Sequence, residues 1–88
     1  MWLSEIAKEM IKDVAISRTG MLIKNKSLGS YFIGANGGKN FISNRNDLRE
    51  VKTIENAVNE LEQSGLIIAK GKLGFEITKK GLDFADSL

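Results

Sequence analysis

The chain contains no cysteine, no histidine and no proline. Without cysteine there is no disulfide framework and no thiolate chemistry. Without histidine, the commonest general base and the commonest transition-metal ligand are gone. A magnesium or calcium site would need oxygen ligands at loop spacing, and no acidic cluster has that spacing. The serines and lysines are not paired at a spacing that suits nucleophilic catalysis. No apolar run approaches membrane-spanning length, and Met1-Trp2-Leu3 lacks the basic and long apolar regions of a signal peptide. These absences predict a cytoplasmic protein that is not an enzyme, holds no metal or cofactor and does not enter a membrane. There is also no linker, low-complexity tract or internal repeat.

What is present is ordinary in amount. The 88 residues make one domain, residues 1–88, with a modest core. The apolar fraction is 42% and the charged fraction 27%, the composition of a soluble globular domain. A helix predicted from residue 4 suits either a small protein or a C-terminal piece of a longer one.

The charge is uneven in its placement. The net charge is +2, but between Arg18 and Lys52 seven cations meet only Asp47 and Glu50. A second basic block holds Lys70, Lys72, Lys79 and Lys80 against Glu76, and the stretch between the two blocks is acidic. If the fold unites the basic blocks, they form a patch suited to nucleic acid. The plain alternative is a small basic protein with lysines wherever it is exposed.

The most informative stretch is Asp47–Leu66, DLREVKTIENAVNELEQSGL. It reads as an amphipathic helix with its body over 47–64. Asp47 is the expected N-cap, Glu50 completes a capping-box pattern, and Gly65 stands at the C-terminal stop. Leu48, Val51, Ile54, Ala57, Val58 and Leu61 recur at three- and four-residue steps and share one face. At about 100° per residue, Arg49, Lys52, Asn56, Asn59 and Gln63 fall in one arc opposite, with Glu60 at its edge. Arg and Lys suit phosphates and guanine edges, and Asn and Gln suit adenine edges. A solvated face that happens to lack acids is the competing explanation.

The remaining elements follow in order. Ser4 caps a first helix through about Ile16, with Leu3, Ile6, Ala7, Met10, Ile11, Val14 and Ala15 as its core stripe and Trp2 or Leu3 as a staple. MLIKNK and SYFIGA read as strands around the turn Ser27–Ser30, and Asn36-Gly37-Gly38 signals a second turn into a third short strand ending at Phe41-Ile42. Tyr31, Ile33, Phe41 and Leu22 line the buried side of this meander. The GANGGK cluster fails as a phosphate loop, because Ile33 and Asn40 stand where a Gly and a Ser or Thr are needed. Leu66–Lys70 and Phe75–Thr78 read as strands around Gly71–Gly74. Thr78 caps a last helix that buries Leu82, Ala85 and Leu88.

The second half resembles the C-terminal half of a winged-helix domain. In that family a helix ending in L-x-x-x-G-L-I leads into a two-stranded wing, which returns into L-T-x-x-G. Leu61, Gly65, Leu66 and Ile67, then Thr78 and Gly81, match that pattern, with Ile77 in place of its Leu. The first half departs from it: a hairpin stands where the second helix would be. The whole order is similar to small winged-helix-like domains appended to longer, uncharacterised bacterial proteins. The resemblance implies an α+β, winged-helix-like fold in the order α-β-β-(β)-α-β-β-α with small antiparallel sheets.

It also implies a DNA-binding module involved in transcription regulation. The helix over 47–64 would enter the major groove and the basic wing over 67–78 would touch the backbone. Carried over, Arg49, Lys52, Asn56 and Asn59 read or position on the groove, Lys70 and Lys72 contact phosphates, and Arg45 supports them. The small net charge implies a dimer or a partner domain. The alternative is a protein-interaction or assembly domain without catalytic activity, in which Trp2, Tyr31 or Leu73 forms an apolar surface patch and the partner is a second copy or another domain.

Overall fold

The computed structural model describes residues 2–88. Three helices pack on one face of a four-stranded antiparallel sheet. The elements are α1 (Glu5–Ile16), β1 (Met21–Ser27), β2 (Ser30–Ala35), α2 (Leu48–Gln63), β3 (Ile67–Lys70), β4 (Gly74–Ile77) and α3 (Lys79–Asp86). The strand order is β2-β1-β4-β3, so β2 and β3 are the two edges. The expected separate small sheets are therefore one sheet, joined where β1 pairs β4 through Met21–Glu76, Leu22–Phe75 and Ile23–Gly74.

Local signals explain most of the elements. The Ser4 hydroxyl accepts from the Ala7 amide and starts α1, and Ala7, Met10, Ile11 and Val14 turn into the core. Leu3 is buried with them, whereas Trp2 is exposed and plays no part as a staple. On the sheet, Leu22, Tyr31, Ile33 and Ala35 face the helices, and Ile54, Ala57, Val58 and Leu61 of α2 complete the core with Leu66 and Ile67.

The ends of α2 are both well made. Asp47 accepts from the Arg49 and Glu50 amides at 3.1 and 3.2 Å. At the other end Leu66 N–H bonds the Leu61 carbonyl and Gly65 N–H bonds the Glu62 carbonyl, both at 3.0 Å, with Gly65 at φ +75°. This pair of bonds is a Schellman closure, which needs a left-handed residue at its turn. Thr78 then ties the next helix to this end. Its hydroxyl bonds the Gly65 carbonyl at 2.7 Å and accepts from the Gly81 amide at 3.0 Å.

Four expectations are corrected. No third strand forms at residues 39–42. The Asn40 side chain takes the place of a strand: it donates to the Tyr31 carbonyl at 2.9 Å and accepts from the Ile33 amide at 3.1 Å and the Ile42 amide at 3.0 Å. Only Phe41 N–H, bonded to the Ile33 carbonyl at 2.8 Å, continues the main-chain pairing along β2. The capping box is not closed either. Asp47 N–H bonds the Asn44 carbonyl, and the Glu50 carboxylate reaches past the cap to the Ser43 amide and hydroxyl and the Asn44 amide.

The other two corrections concern which leucines are buried. Leu82 and Leu88 are exposed, while Gly81, Phe84 and Ala85 face inward. A Cβ at Gly81 would lie 2.2 Å from the Leu66 carbonyl oxygen, so the backbone of α3 itself packs down at that position and sets the helix rotation. Leu48 is 78% exposed although it belongs to the apolar stripe of α2. At about 100° per residue it lies about 120° from the centre of the buried stripe, next to Asn59 and Lys52, so it turns to the outward side.

Candidate nucleic-acid interface

The face of α2 turned away from the core is exposed along its length. Arg49, Lys52, Asn56, Asn59 and Gln63 are all exposed. Of the acids beside it, Glu62 is exposed, and the other three are hydrogen-bonded within the fold. Glu60 accepts from the Ser4 amide at 2.8 Å, and Glu55 accepts from the Tyr31 hydroxyl. Glu50 is held by Ser43 and Asn44, and the Ser43 hydroxyl bond, followed by the Asn44 amide, keeps its carboxyl below the usual glutamate range. Leu48, Arg49, Lys52 and Thr53 share a shallow depression at the start of the helix. Leu48 thus adds an apolar contact beside two cations, a role that its place in the apolar stripe conceals.

Among the described residues the ion pairs are Lys8–Glu5 at 3.5 Å and Lys70–Glu76 at 3.2 Å. Arg45, Arg49, Lys52 and Lys72 therefore keep their charges free of internal partners. Lys70 does not, and it meets an external anion only in competition with Glu76. Arg45 is exposed in the loop that Glu50 anchors.

Lys72 lies at the turn of the β3–β4 wing, and the structure brings it to a place that the sequence pattern does not mark. Lys24, Lys26 and Lys72 line one cleft of about 410 Å³, with Tyr31, Leu73 and Phe75 among its walls. Leu22 is in the core, and period-two alternation puts Lys24 and Lys26 on the same face of β1 as Leu22. No helix residue lines the cleft, so it lies where the helices stop covering the sheet. Its geometry is fixed by the backbone, because Lys24 N–H donates to the Leu73 carbonyl at 2.7 Å and holds the wing turn against β1.

Two expectations about apolar surface are settled here. Tyr31 is 6% exposed and contributes to the core rather than to a surface patch. Its phenol is pushed above its usual range by burial first, then by the hydrogen bond to Glu55 and by that carboxylate's charge. Leu73 is half exposed, and its backbone has a structural task in the bond to Lys24. Trp2 remains 79% exposed.

No group of three or more acidic side chains that could hold a metal ion is found among the described residues. No helix of the described residues is long and apolar enough to cross a membrane. In class the chain is an α+β domain with three helices on a four-stranded antiparallel sheet and two exposed basic surfaces. Compared with known proteins, it matches no family model, no curated protein and no solved structure.

Proposed function

We propose that this chain is a winged-helix-like nucleic-acid-binding module that acts by binding duplex DNA and not by catalysis. The outward face of α2 lies in the major groove. Arg49 and Lys52 meet phosphates or guanine edges, Asn56 and Asn59 meet base edges, and Leu48 offers an apolar contact to a thymine methyl. Lys72 at the wing and Arg45 in the preceding loop meet the backbone, with Lys70 contributing when it leaves Glu76. The supporting observation is the outward face of α2: two cations and three amides, all exposed, with Glu55 and Glu60 beside them hydrogen-bonded within the fold and only Glu62 left exposed on the flank. With a net charge of +2, one copy binds weakly, and a second copy or a partner domain supplies the rest of the affinity.

The test is a fluorescence-anisotropy titration with random-sequence duplex DNA at low and then moderate salt. It compares the wild type with the Arg49→Ala/Lys52→Ala variant. Binding that weakens with salt and falls further in the variant supports the reading. No binding at low salt sinks it.

A protein-docking role is the second reading, and the exposed side chains of Trp2 and Leu28 favour it. Fluorescence of the single tryptophan would shift to shorter wavelength on docking through Trp2. An unchanged emission maximum in self-association experiments counts against that surface.

A further inference from the structure

We infer that the cleft between β1 and the wing is a second binding surface for the phosphodiester backbone, with Lys24 and Lys26 as its anion-binding groups beside Lys72. This rests on the reading of α2 as a DNA-contacting helix and extends the footprint to a surface that the winged-helix resemblance does not include.

The strand β1 breaks its own pattern on the helix-facing side. Leu22 is fully buried there, and the next two residues on that side are lysines. Their neighbours across β2 stay apolar or aromatic, with Lys24 opposite Ile33 and Lys26 opposite Tyr31. Lysine on the inner face of a strand is commonly a guard against edge pairing. Here the pairing of β1 with β4 covers Met21–Ile23, and one further bond joins Lys24 N–H to the Leu73 carbonyl, so edge protection can explain Lys26 but not Lys24. A second ordinary role is to cover an aromatic ring, and the Lys26 ammonium does lie 5.5 Å from the centre of the Tyr31 ring. That accounts for one lysine and leaves Lys24 and Lys72 without a task.

Three ammonium groups thus share a cleft whose lining includes no carboxylate. None of the three forms an ion pair among the described residues. The nearby Glu55 carboxylate accepts from the Tyr31 hydroxyl. Like charges gathered without a counter-ion repel each other, and an anion spanning them relieves that repulsion. The bond from Lys24 N–H to the Leu73 carbonyl keeps β1 and the wing turn together, so the backbone positions that carry the three lysines stay side by side.

The position relative to α2 selects the ligand. Tyr31 lines the cleft and is bonded to Glu55, so this flank of α2 borders it. Lys52 lies three residues before Glu55 and Asn59 four residues after, which places both on the same side of the helix. A backbone leaving the outward face of α2 on that side runs toward the lysine cleft. The β1–β2 hairpin, standing where a second helix is expected, then supplies the backbone anchor that orients α2.

The experiment measures the slope of log affinity against log salt for duplex DNA. Removing one lysine that neutralises a phosphate lowers the magnitude of that slope by about 0.9. The Lys24→Gln/Lys26→Gln variant is expected to leave two phosphates unneutralised, so its slope falls by about 1.8. The Lys24→Arg/Lys26→Arg variant is expected to keep the wild-type slope. Urea unfolding of each variant checks that the fold is intact. An unchanged slope in the glutamine variant, with a reduced slope in Arg49→Ala/Lys52→Ala, overturns the inference and leaves the DNA-binding reading standing. A slope lowered equally by the glutamine and arginine pairs also overturns it, because charge then does not matter. Wild-type protein that binds no duplex at low salt overturns both.

Discussion

The hydroxyl of Tyr31 on β2 donates to the carboxylate of Glu55 on α2, joining the sheet edge to the flank of the central helix. Tyr31 is buried, so this is a polar link set at the margin of an apolar core. Burial and the neighbouring carboxylate hold the phenol in its protonated form.

A pH dependence follows from that raised value. The unfolded phenol titrates near 10, and the folded one titrates above it. The stabilisation is therefore complete below about pH 10 and is lost progressively as the pH rises through the folded value. Tyr31→Phe removes this alkaline decline and costs about 1 kcal/mol at neutral pH because the hydrogen bond is gone. Urea unfolding at neutral and alkaline pH measures both effects. An alkaline decline that persists unchanged in Tyr31→Phe would assign it to another group.

Glu50 gives the opposite sign. Its carboxyl is lowered, chiefly by the Ser43 hydroxyl and the Asn44 amide, so its contribution is present above the ordinary glutamate value and is lost as the pH falls through the lower folded value. The loop that carries Arg45 is expected to loosen over that acidic range. Glu50→Gln is expected to speed hydrogen exchange at the Ser43 and Asn44 amides at neutral pH. Exchange rates equal to wild type would show that the loop is held by other interactions.

Gly81→Ala sets two effects against each other. Alanine favours a helix interior by about 1 kcal/mol over glycine. Its methyl would, however, lie 2.2 Å from the Leu66 carbonyl oxygen and 2.7 Å from the Ile77 side chain. Overpacking of this kind costs about 1–3 kcal/mol, and a clash with backbone leaves little room to relax. The clash is expected to win, giving a lower urea midpoint. A stabilised variant would mean that α3 can lift from the sheet without penalty.

Asn40→Ala removes three hydrogen bonds that one side chain makes to the backbone. Asn40 is exposed, so water replaces part of what is removed, and the expected cost is about 1–2 kcal/mol. The freed Tyr31 carbonyl and Ile33 amide also turn β2 into an open edge. Sedimentation is expected to show concentration-dependent association of the variant beyond that of the wild type. Equal association by both proteins would show that the edge is closed by Phe41 alone.

The parts of the fold that are legible in the sequence are those with local signals. The cap residues Ser4, Asp47 and Thr78, the stop at Gly65 and the two tight hairpins need no knowledge of distant neighbours. The misread leucines concern which face of a helix turns in. Leu48 sits at a three-residue step from Val51 but about 120° from the centre of the buried stripe. Leu82 reads as core because the close approach of the Gly81 backbone to Leu66, which sets the rotation of α3, has no side chain to announce it. A third strand is expected because Phe41 and Ile42 are apolar; an asparagine side chain that substitutes for a backbone has no such signature. The α2 face can be identified from helical spacing alone. Lys24 and Lys26 cannot, because their meaning depends on where the helices stop covering the sheet.

The two edges of the sheet are unequal, and this limits how copies of the chain can combine. Asn40 and Phe41 close the side of β2, whereas the outer side of β3 carries no strand. The sheet can therefore be lengthened in only one direction. Two copies joined antiparallel along Ile67–Lys70 would each consume the other's open edge and leave nothing for a third. Strand addition through β3 alone would therefore stop at a symmetric pair.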